Sequence, residues 1–267
     1  MADTWEWDPS LYSGSAEFYP RGRAAYPPGL ATAFATELGL DGSGRLLDVG
    51  CGPGSLTLLL AGMFEEAVGL DADADMLGEA SRQAAGIPNC RWVHRRAEEL
   101  PAGLGRFRLV TFAQSFHWFD RPRVAAAVRG MVESGGCCAH VHANTHEGVE
   151  GSVPHDAITE LVREYLGPVR RAGRGVLPAG TPGGEPAIYR GAGFTGPRRF
   201  VVPGWVADRT ADEVVAAVFS LSSSTPSLFG GRRAEFESEL RQLLHRASPD
   251  GTFTERLPEI AVDLWRP

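Results

Sequence analysis

The chain has 267 residues, of which 43% are hydrophobic and 22% charged, an ordinary globular composition with apolar mass for one substantial core; disorder, collagen and a small disulfide scaffold are excluded. Its 26 cations face 33 Asp and Glu, a formal net charge of -7, so it presents no cationic field to a polyanion and no nucleic-acid partner is expected. Every cation is Arg, which excludes Schiff-base chemistry and lysine-dependent phosphate loops and leaves bidentate grips on carboxylates or phosphates. Cys51, Cys90, Cys137 and Cys138 form no CxxC pair, and the vicinal two would be awkward to bridge, which fits a reduced cytoplasm. The start, MADTWEWDPS, lacks the basic and apolar regions of a secretory signal, and no run of about 18 apolar residues could span a bilayer. A cytoplasmic chain with no membrane partner is expected.

Residues 1–28 are dense in aromatics (Trp5, Trp7, Tyr12, Phe18, Tyr19, Tyr26), carry Arg21 and Arg23, and are punctuated by prolines, as suits an arm laid over a surface. The spacing of Leu30, Ala33, Phe34 and Leu38 predicts a helix from Pro28, closed by Gly39. Strands are predicted at Arg45–Gly50, Glu66–Asp71, Cys90–Arg96, Arg106–Gln114 and Cys137–Ala143, and helices at Ser55–Phe64, Ala74–Ala85 and Pro122–Glu133, the last capped by Asp120. This alternation implies a doubly wound, mostly parallel α/β sheet with helices on both faces. Beyond Thr145 the pattern yields a helix at Pro154–Leu166, a Gly/Pro-rich stretch at 173–186 and a strand at Arg199–Val202. Helices at Ala211–Leu221 and Arg232–Ala247 and a strand at Ile260–Arg266, with Trp265 at the sheet edge, complete it. The chain is read as a single domain over 1–267: an arm (1–28), a cofactor-binding core (29–145), a substrate-side insertion or lid after the fifth strand (146–200), and C-terminal strands and helices (201–267).

The segment LLDVGCGPGSL (46–56) runs from a strand through a glycine turn into a helix. Gly50, Gly52 and Gly54 let the backbone turn sharply and a ligand lie against it. Twenty-one residues past Gly50, the second strand ends in Asp71, where a carboxylate can accept both ribose hydroxyls. Turn and acid at strand carboxyl ends point to an adenosine-bearing cofactor. The spelling is GxGxG, with Ser55 where the dinucleotide fingerprint places its third glycine, which argues against NAD.

DVGCGPG (48–54) and GLDADADML (69–77) resemble the first two motifs of the class I S-adenosylmethionine-dependent methyltransferases. AEELP (97–101), QSFHWFD (114–120) and VESGG (132–136) resemble its later ones. FYPRGRAAYP (18–27) is similar to the entry segment of a small-molecule subgroup, the trans-aconitate methyltransferase-like proteins, with Ala24 in place of the usual proline. The resemblance covers roughly residues 12–145 and implies the Rossmann-like class I fold of about seven strands. It also implies that Asp48, Gly50, Cys51, Gly52 and Gly54 wall the methionine and adenosine parts of S-adenosylmethionine, with Asp71 on the ribose. Ala72 and Met76 would flank the adenine, and the Ala97 backbone and Glu98 side chain would meet its amino edge. Gln114 and Ser115 would lie beside the sulfonium, and Arg23 is the candidate for the methionine carboxylate.

Methyl transfer from a sulfonium is an in-line displacement governed by alignment, and aromatic faces can hold the cation while excluding water. Tyr12, Tyr19, Phe116 and Trp118 could form such a box, Tyr19 the leading candidate; core packing is the other reading of Trp118 and Phe119. His117 has two readings, a general base for an oxygen or carbon acceptor and a scaffold of the cofactor site. His140, His142 and His146 share a segment, but HxHxxxH has only Glu147 nearby as a carboxylate, and no metal is expected. Cys137 and Cys138 are read as core, Cys51 as a backbone contact to the cofactor. Arg170, Arg171 and Arg174 are read as a solvated loop or a lid-borne grip on an acidic substrate.

The resulting expectation is a methyltransferase that uses S-adenosylmethionine, releases S-adenosylhomocysteine and methylates N, O or C of a small molecule, as a monomer or homodimer. A non-catalytic S-adenosylmethionine-binding or regulatory protein and an NAD-dependent oxidoreductase are the alternatives. Arg-only cations with abundant Ala and Gly fit a GC-rich genome, hence a bacterial enzyme, one of specialised metabolism.

Overall fold

A computed structural model of the chain describes residue 8 and residues 10–143, 150–168, 171–172, 175–176 and 183–267, with the two short pairs described in their backbone alone. Turns from residue 10 lead into the short helix α1 (Tyr19–Gly22), followed by α2 (Pro28–Leu38), which Gly39 closes at a φ of 56°. Strands and helices then alternate: β1 (Arg45–Val49), α3 (Ser55–Leu60), β2 (Glu66–Asp71), α4 (Ala74–Gln83), β3 (Cys90–His94), β4 (Phe107–Ala113), α5 (Arg121–Met131) and β5 (Val132–His142). Asp120 caps α5 as expected, accepting from the N–H of Arg123 at 3.3 Å, and Asp73 caps α4 through Asp75 and Met76. Next come β6 (Glu150–Gly151), α6 (His155–Leu166), β7 (Arg171–Ala172), β8 (Gly175–Val176), α7 (Glu185–Gly191) and β9 (Thr195–Val202). The chain ends with β10 (Trp205–Thr210), α8 (Ala211–Phe219), α9 (Pro226–Phe229), α10 (Arg233–Ala247), β11 (Thr252–Leu257) and β12 (Ile260–Arg266).

The main sheet has seven strands in the order β3-β2-β1-β4-β5-β12-β9. The first five are parallel, and β12 runs antiparallel between β5 and β9. Alternating side chains feed two cores: Leu47, Val110 and Cys138 face α5 and α7, while Leu46, Leu109 and Cys137 face α2 and α3. The chain order reverses between β1 and β4, and such a switch point opens a crevice at the strand carboxyl ends.

Two expectations are corrected here. Trp265 does not lie at the sheet edge: β9 adds outside β12, and Trp265 is 1% exposed, stacked on Tyr189 with centroids 4.9 Å apart. Nor does residue 200 mark the end of the insertion. The segment 185–202 returns to the main sheet as α7 and β9, whereas the cap over it is built from two separate stretches. In that cap α6 and α8 both pack on α10 in one cluster that includes Leu161, Val215, Phe219 and Phe236, and β10, β11 and β6 form a small antiparallel sheet. No single one of these amphipathic helices can cover its own apolar face, so the two stretches fold together.

Candidate active site

The glycine turn leaves β1 toward α3 with the N–H groups of Gly50 and Cys51 both donating to the Leu70 carbonyl of β2. Gly52 has a φ of 54°, and a Cβ there would meet nothing within 4 Å, so the turn opens onto free space at this residue. At Gly54 the protein itself fills the place of a side chain, with the Trp92 indole 2.6 Å from a Cβ position. Gly50 is similarly closed by Ser115 and Phe119. The three glycines thus divide the work: two permit close packing, and one exposes backbone.

Asp71 faces the open turn. Its Oδ2 accepts from the N–H of Gly52 at 2.7 Å and its Oδ1 from that of Asp73 at 2.9 Å, while burial pushes its carboxyl up to about 6. Asp48 lies beneath the turn, where both oxygens accept from hydroxyls, Thr57 at 2.7 Å and Thr111 at 2.8 Å; burial raises its carboxyl as well. Cys51 is buried, and desolvation with the nearby Asp71 and Asp48 carboxylates raises its thiol well above its ordinary value, which opposes formation of a thiolate.

On the β2 side, Met76 and Ala97 are buried, and the half-buried Ala72 accepts at its carbonyl from His94. Glu98 is buried. Its Oε1 accepts from the N–H of Asp120 at 3.0 Å, and its Oε2 has no hydrogen-bond partner, with Arg96 Nε 3.6 Å away. An orphaned buried carboxylate oxygen is costly unless a ligand donor meets it. On the β4 side, Gln114 takes a φ of 55° and Ser115 Oγ donates to the Val49 carbonyl at 2.5 Å, binding the two strand ends together.

The arm reaches the same place. The Tyr12 ring meets Tyr19 and Trp118 edge-on, with centroids 6.5 Å and 6.2 Å apart, and the Arg23 guanidinium stands 4.9 Å from the Tyr19 ring centre. Burial and the proximity of Tyr19 and Asp71 raise the Tyr12 phenol. Tyr26, a residue the sequence reading did not assign to the site, lies near Gln114 and Asp48, and burial raises its phenol. Its signal was its place at the end of FYPRGRAAYP.

Phe116 does not join the aromatic box: it is 1% exposed, stacked on Tyr189 at 5.1 Å and packed on Phe112 at 4.8 Å. The short helical turn that begins at Phe116 directs it inward and leaves His117 and Trp118 half-buried. His117 packs on Trp118 at 4.6 Å, and burial with the Arg121 charge pushes its imidazole down to about 4, so it is uncharged at neutral pH. His140 stacks on His142 at 4.4 Å and pairs with the Tyr189 hydroxyl at 3.3 Å. His142 pairs with Asp263, which Arg199 grips through Nε at 2.6 Å and Nη2 at 2.7 Å. His146, Glu147, Arg170 and Arg174 lie outside the described residues, as does the side chain of Arg171. Among the described residues no group of three His, Cys, Asp or Glu could hold a metal, and no helix is long and apolar enough to cross a membrane.

An open backbone cradle, a carboxylate beside it, an orphaned carboxylate oxygen and an arginine with two tyrosines together fit an adenosine ligand with a sulfonium and an amino-acid tail. Comparisons with known proteins point the same way. A family described as a methyltransferase domain matches residues 46–136. Trans-aconitate 2-methyltransferase of Deinococcus radiodurans is 31% identical over 157 residues, 56% of this chain and 57% of that protein. An uncharacterised methyltransferase of Mycobacterium tuberculosis is 34% identical over 131 residues, 48% of this chain and 51% of that one. The chain thus spans about half the length of the curated relatives it matches. Among solved structures, a provisionally assigned type II methyltransferase from Anaeromyxobacter dehalogenans superposes with a TM-score of 0.53 at 22% identity, covering 91% of this chain and 95% of that one. Precorrin 8w decarboxylase from Methanobacterium thermoautotrophicum gives 0.50 at 11% identity over 93% and 94%. These two likenesses show the fold.

Proposed function

We propose that the chain, which matches a methyltransferase domain over residues 46–136, is a class I S-adenosylmethionine-dependent methyltransferase that methylates a small-molecule acceptor held at the strand carboxyl ends between the arm and the cap. The observation that carries this reading is the open backbone at Gly52 beside the Asp71 carboxylate. When bound, S-adenosylmethionine supplies an electrophilic methyl group on a cationic sulfur.

The chain's own residues bind and orient. Asp71 accepts the ribose hydroxyls, Ala72 and Met76 flank the adenine, and Glu98 with the Ala97 backbone meets its amino edge. Gly50, Cys51, Gly52 and Gly54 let the ligand lie along the turn, which Asp48 supports from below through Thr57 and Thr111. Gln114 and Ser115 line the methionine side, and Arg23 takes the terminal carboxylate in a bidentate pair. Tyr12, Tyr19 and Trp118 present aromatic edges and faces that favour a cation and exclude water. Alignment of this kind can supply about 7–11 kcal/mol of barrier reduction. His117, its imidazole pushed down to about 4, is a weak base, which favours its holding the cofactor side in place over taking a proton from an acceptor hydroxyl. The net charge of -7 and the enclosing arm and cap support a small acceptor rather than a polyanion. Arg-only cations with abundant Ala and Gly support a bacterial setting in specialised metabolism, and the four free cysteines support a reduced, cytoplasmic one.

Calorimetric titration with S-adenosylmethionine, S-adenosylhomocysteine and NAD in parallel tests this. Binding of both sulfur ligands and none of NAD is expected, followed by S-adenosylhomocysteine release in an acceptor screen. Binding of NAD alone would overturn the reading of the turn; ligand binding without turnover across the screen would favour a binding protein.

A further inference from the structure

Arg209 is 5% exposed on β10, away from the glycine turn, and its guanidinium gathers groups from three elements. Nη1 donates to Glu255 Oε2 of β11 at 3.2 Å. Nη2 donates to the carbonyls of Gly22 at 2.8 Å, Glu213 at 3.0 Å and Arg21 at 3.4 Å. Glu255 is itself buried, with His155 of α6 3.2 Å from its other oxygen. Burying such a pair is costly in desolvation, so its other donors must find acceptors. Here they are used to collect the last carbonyls of α1.

A four-residue helix has no stability of its own, so its direction is set by whatever it docks on. It docks on α8: Gly22 lies so close that a Cβ would overlap the carbonyl of Ala216, Ser15 Oγ donates to the Phe219 carbonyl at 2.8 Å, and Arg23 Nη2 to that of Ser220 at 3.2 Å. The arm is therefore a part of the cap, and Tyr12, which lies near Asp71, with Tyr19 and Arg23 packed in line beside it, inherits its position from that docking.

We propose that Arg209 is a positioning residue for the amino-acid tail of the S-adenosyl ligand: by clamping the end of α1 onto α8 and β11 it sets the direction of Tyr19 and Arg23. This rests on the function proposed above, and in particular on Arg23 as the grip on the tail carboxylate. The adenosine part, held by Asp71, Glu98 and the turn, does not depend on the clamp.

The test is calorimetry with S-adenosylhomocysteine and with 5′-methylthioadenosine, which lacks the amino-acid tail. The full chain, Arg209→Met and Gly22→Ala are compared, with thermal melts recorded for each. Gly22→Ala displaces α1 from α8 while leaving the buried charges intact, and it reads the same contact if Arg209→Met does not fold. Both variants are expected to lose roughly tenfold or more in S-adenosylhomocysteine affinity, as when a charge-assisted hydrogen bond to the ligand is lost, and to keep that for 5′-methylthioadenosine within about twofold. Unchanged S-adenosylhomocysteine affinity, or equal weakening of both ligands, overturns the proposal. Failure of the unaltered chain to bind either ligand overturns the functional reading and the clamp with it.

Discussion

The carboxylate of Asp71 accepts a 2.7 Å hydrogen bond from the backbone N–H of Gly52, so the end of β2 and the turn after β1 form one unit. The second oxygen accepts from Asp73, whose own side chain caps α4. One acidic side chain therefore ties the turn, the strand end and the helix start into the wall of the crevice.

Replacing Asp71 with Ala is expected to weaken S-adenosylhomocysteine binding by roughly 1–3 kcal/mol, the cost of losing hydrogen bonds to a charged acceptor. Calorimetry reads this directly. Unchanged affinity would place the ribose elsewhere in the crevice.

The same residue gives binding a pH dependence. Burial holds the Asp71 carboxyl at about 6, above the ordinary value near 4. The ribose hydroxyls donate to the ionised form, so S-adenosylhomocysteine affinity should fall as pH drops through about 6, approaching about tenfold per unit below it. The stability effect has the opposite sense: the folded state holds this proton more tightly than the unfolded chain, and that contribution is lost as pH rises through about 6. An Asp71→Asn variant should flatten the binding profile, and persistence of the pH dependence in it would point to another group.

Gly52 and Gly54 should respond differently to the same substitution. Ala at Gly54 meets the Trp92 ring, and the variant should lose stability, as overpacking costs about 1–3 kcal/mol. Ala at Gly52 meets no neighbour, carries the strain of a φ of 54°, about 1 kcal/mol, and occupies the open cradle. Thermal melts should rank Gly54→Ala as the less stable, while ligand titration should rank Gly52→Ala as the weaker binder. The reverse ranking would mean that the ligand lies against a different part of the turn.

Acid should destabilise the fold through its buried imidazoles. Burial and neighbouring positive charge push His117 down to about 4, and burial foremost, then His142, push His140 to about 3, both below the ordinary value near 6.5. The unfolded chain takes up these protons first, so the stability contributed by the neutral rings is complete above about 6.5 and is lost as pH falls toward 4. Denaturant melts between pH 7 and about 4.5 should show this decline, and His140→Gln should reduce its slope. An unchanged slope in that variant would assign the decline to carboxylates.

The core of the site was legible because its signals are local. Glycine spacing, an apolar strand before it and an acid at the end of the next strand are read within one βαβ unit, across which Gly52 and Asp71 meet. Asp120 as a helix cap was legible for the same reason, since a cap acts on an N–H three residues away. Tyr26 was harder: Gln114 and Asp48, which it lies near, are distant in the chain, and nothing in its immediate neighbours separates a site tyrosine from an arm tyrosine. Phe116 misled because QSFHWFD offers several aromatics in a row, and only the direction of the short helical turn sends one into the core and leaves another at the site.

Periodicity and glycine placement by themselves determined the alternation of strands and helices from β1 to β5 and the glycine turn, because each depends on residues a turn or a pleat apart. The tertiary structure alone decided that β9 covers the outer side of β12, that the cap joins stretches on both sides of β9, and that the arm docks on α8 through an arginine 187 residues beyond Gly22. The physical reason is that a buried guanidinium or an apolar helix face states that a partner is needed but not which one, and the choice is made only when distant segments pack against it.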